Sequence, residues 1–239
     1  MSDEGFSAII SAYEPRGTDR AFDLAEQLYE YVDQVVVVIN SDNATESLCD
    51  QAGKWSTVYR PNRGMNLGAW SEGLGHCAEE NHAICLQDEC RLEDSGFVGA
   101  YKGLFERNGA AMVGESLNPK WAIPWSDLRG SRLDYALVDA SGNQASRVDY
   151  YLACFKQWGI QPGNTGRHLR ALVWGFSREL RQSLRSLPYG NNKEQCIAAE
   201  IGVSQFVENN LVASVCQSSE EPFKYFSHEE WRRDGLSKI

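Results

Sequence analysis

The chain has 239 residues, 42% hydrophobic and 23% charged, enough to bury the core of one large domain and too apolar for a disordered protein. Its net charge of -10 argues against broad nucleic-acid binding, which needs a basic footprint, but leaves room for a local Arg cluster around an anionic ligand. Seven cysteines form neither a CxxC nor a metal-ligand spacing, so reduced thiols and a cytoplasmic setting are expected. Met1-Ser2-Asp3-Glu4 lacks the positive flank of a signal peptide. The longest strongly apolar run, Val35 to Ile39, is far below the roughly 20 residues that span a bilayer.

Taken in chain order, the first half alternates strand and helix. Phe6 to Ala12 reads as a buried strand, and Thr18 to Tyr31 as a helix with Leu24, Leu28 and Tyr31 on one face. The β-branched run Val35 to Ile39 is a central strand buried on both faces. A short helix is expected after Asn40-Ser41-Asp42-Asn43, then a strand near Thr57-Val58-Tyr59, a helix over Gly68 to Glu80 and a strand over Ala83 to Leu86. Ser95 to Arg107 is a helix, followed by an apolar strand at Ala111 to Gly114. This order predicts an α/β fold with a mostly parallel, Rossmann-like central sheet flanked by helices. The absence of GxGxxG and GxxxxGK[ST] argues against a dinucleotide enzyme or a P-loop NTPase.

The second half changes character. Asn118 to Arg132, with Trp121, Trp125 and two prolines, reads as an aromatic loop. Leu133 to Val138 is a strand ending in the turn Ala140-Ser141-Gly142-Asn143. Helices are expected at Val148 to Trp158, Ser177 to Leu187 and Lys193 to Glu208, and a strand at Leu211 to Val215. From Ser218 the charged, aromatic tail is expected across the surface. No linker separates two domains.

Several residues carry chemistry by position. Asp88 and Glu89 directly follow the strand ending at Gln87, where open α/β sheets bind ligands, and carboxylates there can hold a divalent cation against a diphosphate. Their plainer reading is a cap or a solvated loop. Upstream, Arg63-Gly64-Met65-Asn66-Leu67-Gly68 is a turn whose glycines can bring backbone amides close to a ligand, with Arg63 available to phosphate oxygens. The helix start after Gly68 would add a partial positive charge. Tyr13, Asn40, Ser41 and Asp42 lie at strand ends on the same sheet edge, with Tyr13 either stacked on a base or simply packed.

Glu200, among Ala198, Ala199 and Ile201, is the first candidate for a general base, because partial burial raises a carboxylate's pKa. Glu194, on another face of the same helix, is the second. Arg170, Arg178, Arg181 and Arg185 would share about a quarter of the circumference of one continuous helix. Such a basic amphipathic segment rests against anionic lipid, here the inner membrane surface, or binds an acceptor's phosphate. A solvated surface helix is the plainer reading.

Together these pieces resemble the family 2 glycosyltransferases with the GT-A fold, and most of all the enzymes of bacterial rhamnan and related cell-surface polysaccharide synthesis. Phe6 to Tyr13 resembles the opening strand and donor-binding loop, and Val36 to Asp42 the second strand with the polar turn that meets the nucleotide. Asn62 to Trp70 is similar to the family's Asn/Gly-rich turn, and Leu86-Gln87-Asp88-Glu89 stands at its metal-binding acidic motif. His168-Leu169-Arg170 with Val173 to Leu180 resembles the acceptor-side strand and helix, and Ala199 to Gln205 the acidic helix that follows. Two positions depart from the pattern. Cys90 stands where the motif has its second carboxylate, and the late Glu-Asp pair is missing, leaving Glu194 and Glu200.

The resemblance implies a single GT-A-like domain whose residues 1–116 bind a nucleotide sugar and 117–239 the acceptor. It implies inverting transfer to a saccharide or glycoconjugate acceptor, with Mg²⁺ or Mn²⁺ held by Asp88 and Glu89. Catalytic roles would fall to Glu200, Asp88 and Glu194, and donor contacts to Tyr13, Asn40, Ser41, Asp42, Arg63, Asn66, Gly68, Asp88 and Glu89. The rival readings are a catalytically degenerate GT-A-like binding protein and another nucleotide-dependent transferase.

Overall fold

The structure, a computed structural model, describes residues 5–51, 53–138, 142–185 and 189–231, the side chains of Gln182 and Arg185 excepted. Strand β1 (Phe6–Tyr13) is followed by helix α1 (Asp19–Leu28), β2 (Gln34–Ser41), a short β3 (Leu48–Asp50), β4 (Ser56–Pro61) and α2 (Met65–Leu74). Next come β5 (His82–Gln87), β6 (Cys90–Leu92), α3 (Phe97–Asn108), β7 (Ala110–Gly114) and the one-turn α4 (Trp125–Leu128). A small ribbon of β8 (Ala136–Val138) and β9 (Gln144–Ser146) leads into α5 (Arg147–Gln157) and β10 (Val173–Phe176). The chain continues through α6 (Arg178–Arg185), α7 (Lys193–Gln205), β11 (Ser214–Gln217) and β12 (Phe226–His228).

Eight strands form one sheet in the order β11-β7-β10-β5-β1-β2-β4-β3. β1 lies parallel to β2 and β5, β2 to β4, and β7 to β11. β10 runs antiparallel between β5 and β7, and β3 antiparallel at the far edge. The mostly parallel sheet flanked by helices is the expected α/β class, and β10 and β11 knit the second half of the chain into it.

Alternation along the strands divides the core into two layers. Val36 and Val38 of β2, with Ile9 of β1, pack beneath α2, α5 and α7, while Val35, Val37 and Ile39, with Ala8 and Ile10, pack beneath α1 and α3. α1 closes its layer with Ala21, Leu24, Ala25 and Leu28, an apolar stripe at helical spacing.

Several boundaries differ from expectation. α2 begins at Met65, with Gly64 at its N-cap in the left-handed region (φ 74°), and ends at Leu74 rather than Glu80. The early stop has a partner on α6. Buried Arg181 donates to the carbonyls of Cys77 (3.1 Å), Ala78 (2.6 Å), Asn81 (2.6 Å) and, at 3.4 Å, Leu74. One side chain thus satisfies the carbonyls that a longer helix would have used.

Residues 167–185 are therefore not one helix. The β-branched and aromatic stretch Val173–Phe176 enters the sheet as β10, Arg170 lies on the loop before it, and Arg181 points inward. Arg178 pairs with Glu179 at 3.0 Å, and the side chain of Arg185 lies outside the described residues. The expected basic stripe is dismantled. The short helix expected after Asn43 is replaced by β3, which covers the open edge of β4. In the 118–132 loop, Trp121 and Trp125 are buried against Tyr151 and Phe155 of α5. Expectations at Ala140, Ser141 and Leu187 fall outside the described residues. Among the described residues no helix is long and apolar enough to cross a membrane.

Close backbone approach makes one glycine of α2 indispensable. A Cβ on Gly68 would stand 1.9 Å from the carbonyl oxygen of Arg63, whereas one on exposed Gly99 of α3 would meet nothing within 4 Å. Gly68→Ala is expected to lower stability by about 1–3 kcal/mol. Gly99→Ala should raise it by about 0.5–1 kcal/mol by favouring helix. Urea midpoints of the two variants should move in opposite directions.

Candidate active site

Because β1, β2, β4 and β5 are parallel, their carboxyl ends at Tyr13, Ser41, Pro61 and Gln87 lie along one edge, where such sheets open a crevice. The Tyr13 hydroxyl donates to the Asp42 carboxylate, which also accepts from Asn62 Nδ2 at 3.1 Å. These hydrogen bonds hold the Asp42 carboxyl below its usual range, and the bond to Asp42 pushes the Tyr13 phenol up. Ser41, nearly buried, donates its hydroxyl to Glu14.

Two expected donor contacts serve the scaffold instead. Asn40 is 2% exposed: its Oδ1 accepts from Arg60 Nη1 at 2.6 Å and its Nδ2 donates to the Met65 carbonyl at 3.3 Å. Arg60 Nη2 in turn donates to the Arg63 carbonyl at 3.0 Å, so Asn40 shapes the turn and has no free face for a nucleotide. Gly68 spends its amide on the Gly64 carbonyl inside α2. The exposed Arg63 side chain opens onto a shallow cleft of about 250 Å³ that shares no lining residue with the cleft at Asp88. Asn66 does face the cavity at Glu200, oriented by the Ser11 hydroxyl, which donates to its Oδ1 at 3.2 Å.

The Asp88 amide donates to the Ser11 carbonyl at 3.1 Å, which fixes the turn where the acidic pair leaves β5. Burial, and then the charge of Glu89, raise the Asp88 carboxyl to about 6. Glu89 goes the other way: His228 first, then Arg16, hold it below the usual range against the cost of burial. Its carboxylate lies 3.4 Å from His228 Nε2 and 3.1 Å from Arg16 Nη1. His228 Nδ1 accepts the Glu230 amide at 3.1 Å, which leaves Nε2–H to face Glu89 and Gln87.

Cys90 does not replace the missing carboxylate. It is 2% exposed, stands opposite His228 in the β6–β12 pair, and burial drives its thiol far above the range in which a thiolate ligand forms. Among the described residues no three His, Cys, Asp or Glu side chains form a ready metal cluster. Asp88 and Glu89 nevertheless suit a cation that takes one or two carboxylates from the protein and the rest of its shell from phosphate and water. The Asp88 carboxylate has no salt-bridge partner among the described residues, and burial beside a second carboxylate makes it receptive to positive charge.

Beside this edge lies a cavity of about 440 Å³. Asn66 and Gln87 bound it on the sheet side, Arg170 and Ala171 along the loop before β10, Lys193 and Glu200 from α7, Trp121 and Arg147 beside them, and Glu230 and Trp231 from the tail. Glu200 Oε1 accepts the Ala171 amide at 2.8 Å and lies 3.8 Å from His168 Nε2. Burial raises its carboxyl to about 7, against the opposing pull of the Ala171 amide and Arg170. His168 is held neutral, its pKa lowered to about 4 by burial, with Nδ1 donating to the Gly166 carbonyl at 2.7 Å and Nε2 accepting from Asn118 at 3.3 Å. Arg170 donates to Ser116 Oγ at 3.0 Å and stacks 3.9 Å from the ring centre of Trp231.

Glu194, the second candidate base, does not line this cavity. It accepts from the hydroxyls of Tyr151 (2.7 Å) and Tyr135 (3.3 Å) and lies 3.6 Å from Arg147 Nε, so its carboxylate braces an arginine. Instead of lying over the surface, the described part of the tail supplies His228 and Trp231 to the site. Its anchor is Glu115, 1% exposed at the end of β7. Glu115 accepts from Tyr101 Oη (2.8 Å), Ser218 Oγ (2.6 Å) and the amides of Tyr225 (2.9 Å) and Phe226 (3.2 Å). No local pattern around Val113-Gly114-Glu115 marks that role, because all the partners are distant in sequence or belong to the tail.

No protein-family model and no curated protein sequence matches the chain. Among solved structures it is similar to glucosyl-3-phosphoglycerate synthase from Mycobacterium tuberculosis in complex with Mn²⁺, uridine diphosphate and phosphoglyceric acid. That similarity is 18% identity over 98% of this chain and 73% of that one, with a TM-score of 0.47. The same synthase with Mg²⁺ and uridine diphosphate gives 16% identity over 98% and 74%, with a TM-score of 0.48. A mycobacterial protein gives 16% identity and a TM-score of 0.48, and this chain, matched over 90% of its length, spans 65% of that protein's.

If Glu115 is what holds the tail at the site, Glu115→Ala should cost at least about 2 kcal/mol, since it strands buried donors. Amide exchange over residues 218–231 should accelerate more than exchange in β1 and β2. Unchanged protection of the tail in a destabilised variant would assign the anchoring to other contacts.

Proposed function

We propose that the protein is a GT-A-like glycosyltransferase that moves a sugar from a nucleotide-sugar donor to an acceptor hydroxyl. The observation that carries this reading is the pairing of two carboxylate environments. Asp88 and Glu89 sit at the ligand-binding edge of the sheet, and Glu200, raised to about 7, stands on the wall of the adjoining cavity. A base near neutral pH and an acidic edge suited to a cation–diphosphate pair are what such a transfer needs.

In this reading Glu200 takes the proton of the acceptor hydroxyl as its oxygen attacks the anomeric carbon. The bond from that carbon to the nucleotide diphosphate breaks in the same displacement, which inverts the anomeric configuration. A divalent cation bound by Asp88 and Glu89 would supply charge neutralisation for the departing diphosphate. The Ala171 amide orients Glu200, the charge of Arg170 favours its ionised form, and His168, held neutral, adds no second positive charge beside it. Tyr13 and Asp42 border the donor end, and Trp231 offers an aromatic face to a sugar.

Residues 1–116 would bind the donor and 117–239 the acceptor within one domain. We place the enzyme in the cytoplasm, in assembly of bacterial surface polysaccharide or glycoconjugate, with a hexose as the transferred unit. Peripheral contact with the inner membrane surface would have to use cations other than Arg170 and Arg181, which the fold has buried.

A thermal-shift panel of UDP-, GDP-, CMP- and dTDP-sugars with Mg²⁺, Mn²⁺ or EDTA tests this reading. One nucleotide class should stabilise the protein in a metal-dependent way and be slowly hydrolysed. Asp88→Asn should abolish that turnover in a folded protein. Glu200→Gln should slow transfer by about 10²-fold or more while donor affinity holds. Stabilisation without turnover under every condition would instead favour a degenerate, donor-binding domain, in keeping with the buried Cys90 thiol.

A further inference from the structure

The helical wall of the cavity has a charge pattern that deprotonating a neutral sugar hydroxyl does not require. Arg147, at the first turn of α5, is held in an aromatic cage, its guanidinium 5.1 Å from the ring centre of Trp121, 4.8 Å from Tyr135 and 5.2 Å from Tyr151. Among the described residues, the polar contacts of its side chain use one edge. Nε donates to Tyr151 Oη at 2.7 Å and faces Glu194 at 3.6 Å. Neither terminal nitrogen hydrogen-bonds to the protein among the described residues, although the side chain is only 12% exposed and lines the cavity. The cage and Glu194 therefore fix the orientation of a guanidinium whose two terminal nitrogens have no hydrogen-bond acceptor among the described residues. That is the arrangement by which Arg takes a planar or tetrahedral oxyanion in two parallel bonds.

Lys193 opens α7 beside it, exposed, lining the same cavity and without a hydrogen-bond or ion-pair partner among the described residues. It stands seven residues before Glu200, which places both on one face of α7, about 10 Å apart along the axis.

We propose that Arg147 and Lys193 form an anion-recognition site for the acceptor, taking a phosphate or carboxylate carried by the molecule whose hydroxyl faces Glu200. This rests on the transferase reading and narrows it to acceptors that bear a negative charge about one sugar length from the reacting hydroxyl. A neutral saccharide would leave Lys193 without a counterion and the terminal nitrogens of Arg147 without a charged acceptor. Asp88 and Glu89 line a separate cleft, so the donor's diphosphate has its own place.

The probes are glucose 6-phosphate, glucuronate and glucose, titrated against the full chain by tryptophan fluorescence, with and without saturating UDP and Mn²⁺. Both acids should bind at least about tenfold more tightly than glucose, the worth of one charge-assisted pair. That preference should survive saturation with UDP. Arg147→Gln and Lys193→Gln should each reduce it by about tenfold, with UDP affinity within about twofold of the parent. Because Lys193 is exposed, its variant is informative even if loss of Arg147 loosens the cage. Equal binding of glucose, no binding of either acid, a preference that persists in Lys193→Gln and in a folded Arg147→Gln, or displacement of the acids by UDP would overturn the proposal. Should no nucleotide or nucleotide sugar bind the parent protein, the transferase reading falls, while acid-over-glucose preference still reports on the Arg147–Lys193 site.

Discussion

The hydrogen bond from the Ala171 amide to Glu200 ties α7 to the loop before β10 at the point where chemistry is expected. It exists because β10 runs against its neighbours. A parallel strand between β5 and β7 would begin at the opposite edge of the sheet, and the loop before it would lie far from Gln87. Reversal puts residues 167–172 at the carboxyl end of β5, so His168, Arg170 and Ala171 meet α7 over the crevice. Gly175 permits the insertion, since a Cβ there would stand 2.6 Å from the ring of Tyr101.

Charge is then sorted by environment. Asp88 and Glu89 are neighbours in sequence but are driven apart, Asp88 upward by burial and Glu89 downward by His228 and Arg16. On the other side of Gln87, His168 is buried neutral, so Glu200 feels Arg170 but no imidazolium. The raised Glu200 carboxyl has a consequence for folding. Its proton is held more tightly in the folded chain than in the unfolded one. Its contribution is thus fully favourable below about pH 4.5, its ordinary value, and is lost as pH rises through about 7. A carboxyl raised to neutral pH is kept at some cost in stability there.

Much of the frame was readable in the sequence. The β-branched run at Val35 to Ile39, the alternation through Gly114, and the acidic pair at the end of the Ala83 strand are local patterns, and local patterns survive folding. What escaped was long-range. Asn40 and Gly68 have the residue types of ligand contacts, but Arg60 and the Arg63 carbonyl claim them. The arginines from Arg170 to Arg185 align only if a helix is assumed through Val173–Phe176, a stretch the sheet takes instead. Glu194 and Glu200 look alike in sequence, and only the tyrosines around one and the Ala171 amide beside the other separate brace from candidate base. His228 and Trp231 reach the site through Glu115, which lies more than a hundred residues upstream of both.

If Glu200 is the base of sugar transfer, with its carboxyl raised to about 7, a single-turnover pH–rate profile will report its titration. With donor, metal and acceptor saturating, the transfer rate should rise about tenfold per pH unit below pH 7 and level off above it, as Glu200 loses its proton. In Glu200→Gln that rising limb should vanish. A profile flat from about pH 5.5 to 8.5, or the same limb retained in the variant, would exclude Glu200 as the base.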